Sequence, residues 1–276
     1  MSRIENCFTS APELSRAGSF IARALSDLRS APLVAWQIFR SGLRAGRRRS
    51  LFGNLWLIAP AVMTTLLCVY LQRQQVIAVG STSLPYALHV FAGMVLWQTF
   101  VDAVNAPLNQ LTTARHIISR SMVANEGIIL AGALEVGLNI LVRLAAFALV
   151  LMLFGRFNPL ALLIFFPLAA LVLATMGMAL GVVAAVAGLL YDDVRRGLPL
   201  LLGVWFFLTP IFYVVQPRSW AHYNPVTPAI EAARQSIFAP ALYGALLLSL
   251  ALSVLGLAAS WMLYRLARPY VIERLG

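Results

Sequence analysis

Apolar residues are concentrated in six long runs along the chain, and short polar stretches separate these runs. A helix needs about 20 mostly apolar residues to cross a bilayer, and each run is close to that length or longer. The pattern therefore predicts an all-α integral membrane protein with six transmembrane helices. The predicted spans are residues 51–71, 85–104, 127–154, 160–190, 198–215 and 241–264.

Arginines near the ends of these predicted spans are distributed unequally between the two sides. Twelve lie before the first span, between the second and third, between the fourth and fifth, or after the sixth, and four lie on the opposite side. Basic residues near span ends favour the cytoplasmic side of a membrane. The distribution therefore predicts that both termini are cytoplasmic.

Residues 1–50 precede the first span and contain two segments with apolar residues at helical spacing. One runs through Phe20 and Leu28, and Pro32 separates it from a second that runs through Val34 and Leu43. Such basic amphipathic helices are expected along the cytoplasmic membrane surface, either as an orienting anchor or as a docking surface for a partner. We thus predict a cytoplasmic tail with interface helices (1–50), a six-span domain (51–264) and a short basic cytoplasmic tail (265–276).

Residues 205–238 are unusual because they are apolar and yet contain four prolines. Pro210 ends or kinks the fifth span, and the following segment stays on the outer side because the sixth span must return to the cytoplasm. Apolar segments too short to span are typical of re-entrant or interfacial helices. Pro228 is predicted to start a short helix that carries Glu231 and Arg234.

The fourth predicted span contains the small-residue stretch GMALG, from Gly177 to Gly181. Small residues four apart let two helices approach closely. We interpret the stretch as ordinary helix packing in preference to a self-association motif.

Composition supports the membrane assignment, since 61% of the 276 residues are hydrophobic, 11% are charged and the mean hydropathy is +0.82. A soluble domain carries about 25% charged residues. The net charge of +11 does not indicate nucleic acid, because the charges lie between the spans and at the chain ends. The chain has no lysine, so it cannot build a phosphate-binding loop whose lysine reaches the nucleotide phosphates. If ATP drives this protein, the ATPase is a separate polypeptide.

The third predicted span carries Glu135, Asn139 and Arg143 at steps of four, which places them on one helix face. Polar groups at that depth are costly, so they should face a partner helix or a wet cavity. The stripe either lines the path of a polar solute or forms an internally satisfied ladder in which Asn139 bridges Glu135 to Arg143.

The segment YDDVRRG (191–197) places Asp192 and Asp193 beside Arg195 and Arg196 at the predicted cytoplasmic face. Paired aspartates could hold Mg²⁺ against a diphosphate in a membrane-embedded transferase. No second acidic cluster accompanies them. We therefore favour a gate or anchor, in which one aspartate caps the next helix and the arginines contact lipid headgroups.

Aromatic side chains are numerous near the second and fifth spans. They form either an interfacial belt or, by ring stacking, a sliding surface for a sugar chain. The three histidines show no spacing of metal-ligand type, so no metal site is predicted. The candidates for a translocation path are Trp97, Phe100, Trp205, Phe206, Phe207, Phe212 and Tyr213.

Several of these stretches occur in a recognisable order between about residues 36 and 264. They are RRRSLFGNLWLIAPA (47–61), YALHVFAGMVLWQTFVDAV (86–104), YDDVRRGLPLLLGVWFFLTPIFY (191–213) and YNPVTPAIEAARQSIF (223–238). The ordered set resembles the membrane permeases of ATP-binding-cassette (ABC) exporters that carry polysaccharides or polyol phosphates. The best resemblance is to the O-antigen and capsule exporters.

The resemblance implies one of two identical subunits that enclose a pore for a lipid-linked glycan in the bacterial inner membrane. Each subunit would bind a separate ATPase, and that partner would hold ATP and Mg²⁺, so this chain would be no enzyme and would bind no cofactor. Re-entrant periplasmic helices after the fifth span are also implied. The N-terminal amphipathic helix and the loop at about 105–126 would contact the ATPase, with Arg115, Arg120, Asn125 and Glu126 as coupling candidates.

Two features depart from the family's pattern. Tyr191 is followed by Asp192, where the family usually has arginine, so any role of that arginine would fall to Arg195 or Arg196. Residues 115–128 lack the prolines common in the family, which leaves the shape of the coupling helix open. Two alternatives to glycan export remain: an exporter of a small amphiphile, drug or lipo-oligosaccharide, and a transferase that uses Asp192 and Asp193.

Overall fold

The chain is all-helical over the part that its computed structural model describes. That part comprises residues 29, 31–45, 53–76, 84–114, 125–155, 158–159, 161–215, 220–237 and 243–275. Its eight α-helices are α1 (31–45), α2 (Ala59–Arg73), α3 (Tyr86–Thr113), α4 (Asn125–Leu153), α5 (Phe166–Leu190), α6 (Asp192–Leu208), α7 (Thr227–Gln235) and α8 (Tyr243–Leu275). The predicted all-α class is confirmed.

Prolines define where several helices begin. Pro60, Pro167 and Pro228 lie in the first turns of α2, α5 and α7, and Pro85 immediately precedes α3. The first N–H groups of a helix have no intrahelical acceptor, so a proline there costs no hydrogen bond. The short helix predicted to begin near Pro228 is confirmed.

Helices α3 and α5 form the centre of the molecule and lie in close contact. A Cβ atom at Gly177 would lie 2.7 Å from the carbonyl oxygen of Phe100, and one at Gly181 would overlap the carbonyl oxygen of Val104. Only glycine permits this approach of two backbones. The interpretation of GMALG as ordinary helix packing is therefore confirmed.

The other long helices surround this pair. Helices α2 and α4 pack on α3, and α8 packs on α5. Helix α3 is mostly buried within the protein, whereas most residues of α4 and α8 are at least partly exposed. Such exposure is expected of helices that face lipid or another subunit, because an apolar helix must bury its surface against something.

Four helices are long and apolar enough to cross a membrane, namely Tyr86–Thr113, Glu126–Leu153, Ala161–Leu190 and Gly244–Arg268. They coincide with four of the six predicted spans, so the chain is a multi-pass membrane protein. The first and fifth predicted spans correspond to α2 and α6, of 15 and 17 residues, which are shorter than a full crossing. Both expose large apolar side chains. The count of six therefore stays a prediction.

Helix α1 is the second of the two predicted amphipathic helices, and the first lies outside the described residues. Ala31 and Ala35 are buried against the molecule, while Leu33 and Trp36 are exposed. A Cβ at Gly127, in the first turn of α4, would lie 2.8 Å from Val34. Helix α1 thus packs on the end of α4 with one face and leaves an apolar face uncovered.

Candidate functional site

An aromatic cluster joins α3 to the C-terminal end of α6. Trp97 and Phe100 of α3 are buried and contact Phe206 and Trp205 of α6, with ring centroids 5.7 and 5.2 Å apart. Phe206 also meets Phe212 edge-on at 4.9 Å. Aromatic pairs in this arrangement stabilise a contact beyond the area they bury. The cluster fixes the end of α6 against α3.

Two further residues predicted for the translocation path lie at the edge of this cluster. The ring of Phe207 is 70% exposed and lies 5.4 Å from the ring of Phe206. The hydroxyl of Tyr213 donates to the carbonyl oxygen of Leu208 at 3.1 Å. Phe207 therefore presents the most open ring of the seven candidates, whereas Trp97 and Phe100 are interior residues. Their role in translocation stays a prediction.

Helix α6 ends at Leu208, and a buried arginine of α7 contacts the turn that follows it. Arg234 donates to the carbonyl oxygens of Pro210 and Ile211 at 2.7 and 3.0 Å and pairs with Glu231 at 3.2 Å. Burial lowers the pKa of Arg234 to about 10, and the neighbouring Glu231 carboxylate opposes that effect. The guanidinium therefore stays charged at neutral pH.

A second polar network ties α6 to the short 3-10 helix Trp220–Tyr223 and to the start of α7. The side-chain carbonyl of Asn224 accepts from the Trp205 indole and from the Val226 amide, both at 3.1 Å. Its amide nitrogen donates to the Thr209 hydroxyl at 3.0 Å. All of these contacts join residues between Trp205 and Val226, within the proline-containing segment singled out from the sequence.

A polar ladder joins α3 to α4 at the depth of the predicted spans. Arg143 pairs with Asp102 at 2.9 Å, and the amide of Asn139 donates to the same carboxylate at 2.8 Å. Further along the same two helices, the side-chain amide of Gln110 donates to the Glu135 carboxylate at 3.1 Å. Arg143 is almost fully buried and Asp102 is 29% exposed.

The ladder corrects one part of the sequence-based interpretation. In one of the two interpretations, Asn139 bridges Glu135 to Arg143 along α4, but in the structure each of these three side chains contacts α3 instead. The partner that was missed is Asp102. It is the only carboxylate in the predicted span 85–104, and an ionisable residue inside a span indicates a polar partner. The stripe therefore pairs across two helices.

The other end of α4 contains one predicted coupling residue, Glu126. It was expected on a surface, but it is buried and its carboxylate lies 3.5 Å from Arg265 of α8. Asn125 begins α4, and Arg115 and Arg120 lie outside the described residues. Glu126 thus links the start of α4 to α8. Whether these four residues contact an ATPase stays a prediction.

The segment YDDVRRG forms the junction between α5 and α6. Tyr191 has an extended backbone and occupies the N-cap of α6, and no side chain caps the helix. The expectation that an aspartate caps α6 is therefore wrong, since Asp192 and Asp193 lie inside its first turn. Carboxylates there still stabilise the helix through its dipole. Both aspartates and the following Arg195 and Arg196 are exposed.

Metal chemistry finds no further support at this junction. Across the residues that the structure describes, no group of three His, Cys, Asp or Glu side chains lies close enough together to hold a metal ion. Asp192 and Asp193 remain an isolated pair in that part of the chain.

Comparison with known proteins finds two distant relatives of this chain. No protein-family model matches the chain. A Klebsiella pneumoniae protein named O-antigen export system permease protein RfbA is 24% identical over 204 residues, which cover 72% of this chain and 77% of the relative. A second protein of that name from the same organism is 22% identical over 199 residues. The chain is a distant homologue of O-antigen export permeases. The predicted resemblance is thus confirmed.

Proposed function

We propose that the chain is the membrane permease subunit of an ABC exporter that moves a lipid-linked polysaccharide across the bacterial inner membrane. The observation that carries the proposal is the similarity to O-antigen export permeases over about 70% of the chain. The four long apolar helices are consistent with it. An exporter of a small amphiphile would have the same architecture, so the cargo is decided by the experiment below.

The proposal includes a separate ATPase and a second copy of this chain. The chain has no lysine and therefore lacks the phosphate-binding loop of such ATPases. In the proposed complex both termini are cytoplasmic, and α2 and α6 complete six crossings. ATP and Mg²⁺ are bound by the partner. The region around Glu126, where α1, α4 and α8 meet, is the proposed site of coupling.

The proposed path lies along the uncovered face of α6. Leu200, Val204 and Phe207 are exposed and recur at helical spacing, so they share one face. In the proposed dimer this face is directed toward the second copy and the cargo. An aromatic ring such as that of Phe207 can stack on a sugar with a weak contact that permits sliding.

The first experiment compares glycans in a strain from which the gene for this chain has been deleted. Loss of the surface polymer together with intracellular accumulation of the finished lipid-linked chain is the expected result. Normal surface glycan without accumulation would reject the polysaccharide cargo and favour small-molecule export. A lipid-linked chain that is never finished would instead favour the transferase, and Asp192→Asn with Asp193→Asn would then abolish a metal-dependent reaction.

The second experiment tests the path in the complemented strain. Phe207→Ala is expected to lower the rate of glycan export several-fold. Phe154→Ala is the matched control, because this exposed phenylalanine lies at the end of α4 and not on α6. Equal export by both variants, at equal amounts of protein in the membrane, would reject the proposed role of Phe207.

A further inference from the structure

Arg234 supplies hydrogen-bond donors to two backbone carbonyl groups between α6 and α7. Pro210 and Ile211 follow the end of α6, so their carbonyl groups have no hydrogen-bond donor within a helix. Water cannot serve them, because Arg234 and both of these residues are buried. The guanidinium donates to the two carbonyl oxygens at 2.7 and 3.0 Å. We call these contacts, with Glu231, the Arg234 network.

Helix α3 closes the Arg234 network from the other side. Gly93 of α3 leaves the space into which the guanidinium fits, and a Cβ atom there would overlap it. The hydroxyl of Tyr86, also on α3, donates to the carbonyl oxygen of Phe212 at 3.3 Å. The turn after α6 is thus attached to α7 on one side and to α3 on the other.

Two asparagines attach the ends of the same segment. Asn224 uses its carbonyl and its amide to join Trp205 and Thr209 of the α6 end to the backbone at Val226. The amide of Asn158, before α5, donates to the carbonyl oxygens of Ser236 and Ile237 at 3.3 Å. A short helix held only by its apolar face would slide easily without such contacts, since apolar burial has no preferred direction.

We infer that the described residues 205–215 and 220–237 form a rigid cap on α3, in which the end of α6 and the short helix α7 move together. Arg234 and Asn224 are its positioning residues. Swinging α7 away from α6 would break both hydrogen bonds from the Arg234 guanidinium to the Pro210 and Ile211 carbonyls and leave it only Glu231 on its own helix, which is costly. Opening of the export path therefore takes place elsewhere, without a hinge between α6 and α7.

A covalent tether between positions 209 and 224, whose side chains are hydrogen-bonded, tests this inference. Thr209→Cys and Asn224→Cys replace two side chains whose polar atoms are 3.0 Å apart, in a chain that also carries Cys7→Ser and Cys68→Ser. Mild oxidation of the assembled complex then joins the two cysteines as a disulfide, and a thiol reductant opens it again. The single variants Thr209→Cys and Asn224→Cys report the effect of losing the hydrogen bonds alone.

The rigid cap predicts that the tether leaves export within about two-fold of the rate after reduction, since fixing two points of one rigid body costs no motion. Export that falls at least ten-fold on tethering and recovers on reduction would overturn the inference. This readout rests on the proposed function, so the second measurement does not use export.

Hydrogen–deuterium exchange on the unmodified complex provides that second measurement. It needs no cysteine variant, so it still tests the inference if the double variant fails to fold. Amides of 227–235 and of the adjacent part of α3 are expected to exchange at similar rates, with and without ATP. If ATP accelerates exchange in 227–235 at least ten-fold while α3 is unchanged, α7 moves alone and the inference is wrong. If α7 is rigid but no glycan is exported, the cap stands and the proposed cargo fails.

Discussion

The close approach of α3 and α5 predicts a specific intolerance at Gly177. In Gly177→Ala, the added methyl group would lie 2.7 Å from both the carbonyl oxygen of Phe100 and the Cβ of Ala103, whereas ordinary contact begins at 3.4 Å. The two helices must therefore separate by about 0.7 Å along this line, which costs about 1–3 kcal/mol as overpacking does elsewhere.

Alanine also favours the helix over glycine by about 1 kcal/mol, and this gain must be removed from the comparison. Gly137→Ala is the matched control, because Gly137 lies inside α4 with no other atom within 4 Å of its Cβ position. The helical gain is the same in both variants. The difference in free energy of unfolding between them is then the overpacking cost alone, about 1–3 kcal/mol.

The assay is thermal unfolding of the purified variants in detergent, followed by tryptophan fluorescence. A difference of 2 kcal/mol corresponds to about 4–8 °C in Tm for a chain of this size. We expect Gly177→Ala to unfold at the lower temperature, and Gly181→Ala to be at least as unstable because its methyl would overlap the Val104 carbonyl oxygen. A Gly177→Ala variant that unfolds within 1 °C of Gly137→Ala would refute the contact.

Three further changes test the polar contacts by the same assay. Gly93→Ala is expected to lower stability by about 1–3 kcal/mol, because its methyl overlaps the Arg234 guanidinium; an unchanged Tm would contradict that packing. Arg143→Met should lower stability by about 3 kcal/mol, because it leaves the Asp102 carboxylate without its ion partner. Adding Asp102→Asn to this variant should recover part of the loss. If the destabilisation of the double variant equals the sum of the two single variants, the two residues do not interact. Glu126→Gln should cost about 1–3 kcal/mol, since it removes the buried charge opposite its partner on α8, and wild-type stability would argue against that ion pair.

The apolar pattern alone was sufficient for the helical class and for four long spans. Burial in a bilayer requires continuous apolar runs of a defined length, and that requirement is local in the sequence. Pro228 marked the start of α7 for a similarly local reason, since a proline in the first turn of a helix costs no hydrogen bond. The stripe of Glu135, Asn139 and Arg143 was also visible as a pattern, because i and i+4 residues share a helix face.

Which residues these polar groups meet was decided only by the tertiary structure. Asp102 lies 41 positions before its partner Arg143, and no local rule relates them. Arg234 was recognisable as part of a short helix, but its burial depends on a turn 23 residues earlier and on the absence of a side chain at Gly93. Local patterns fix the period and length of a helix, because these depend on neighbouring residues. The choice of partner depends on how distant helices pack, which determined both the α3–α4 ladder and the Arg234 network.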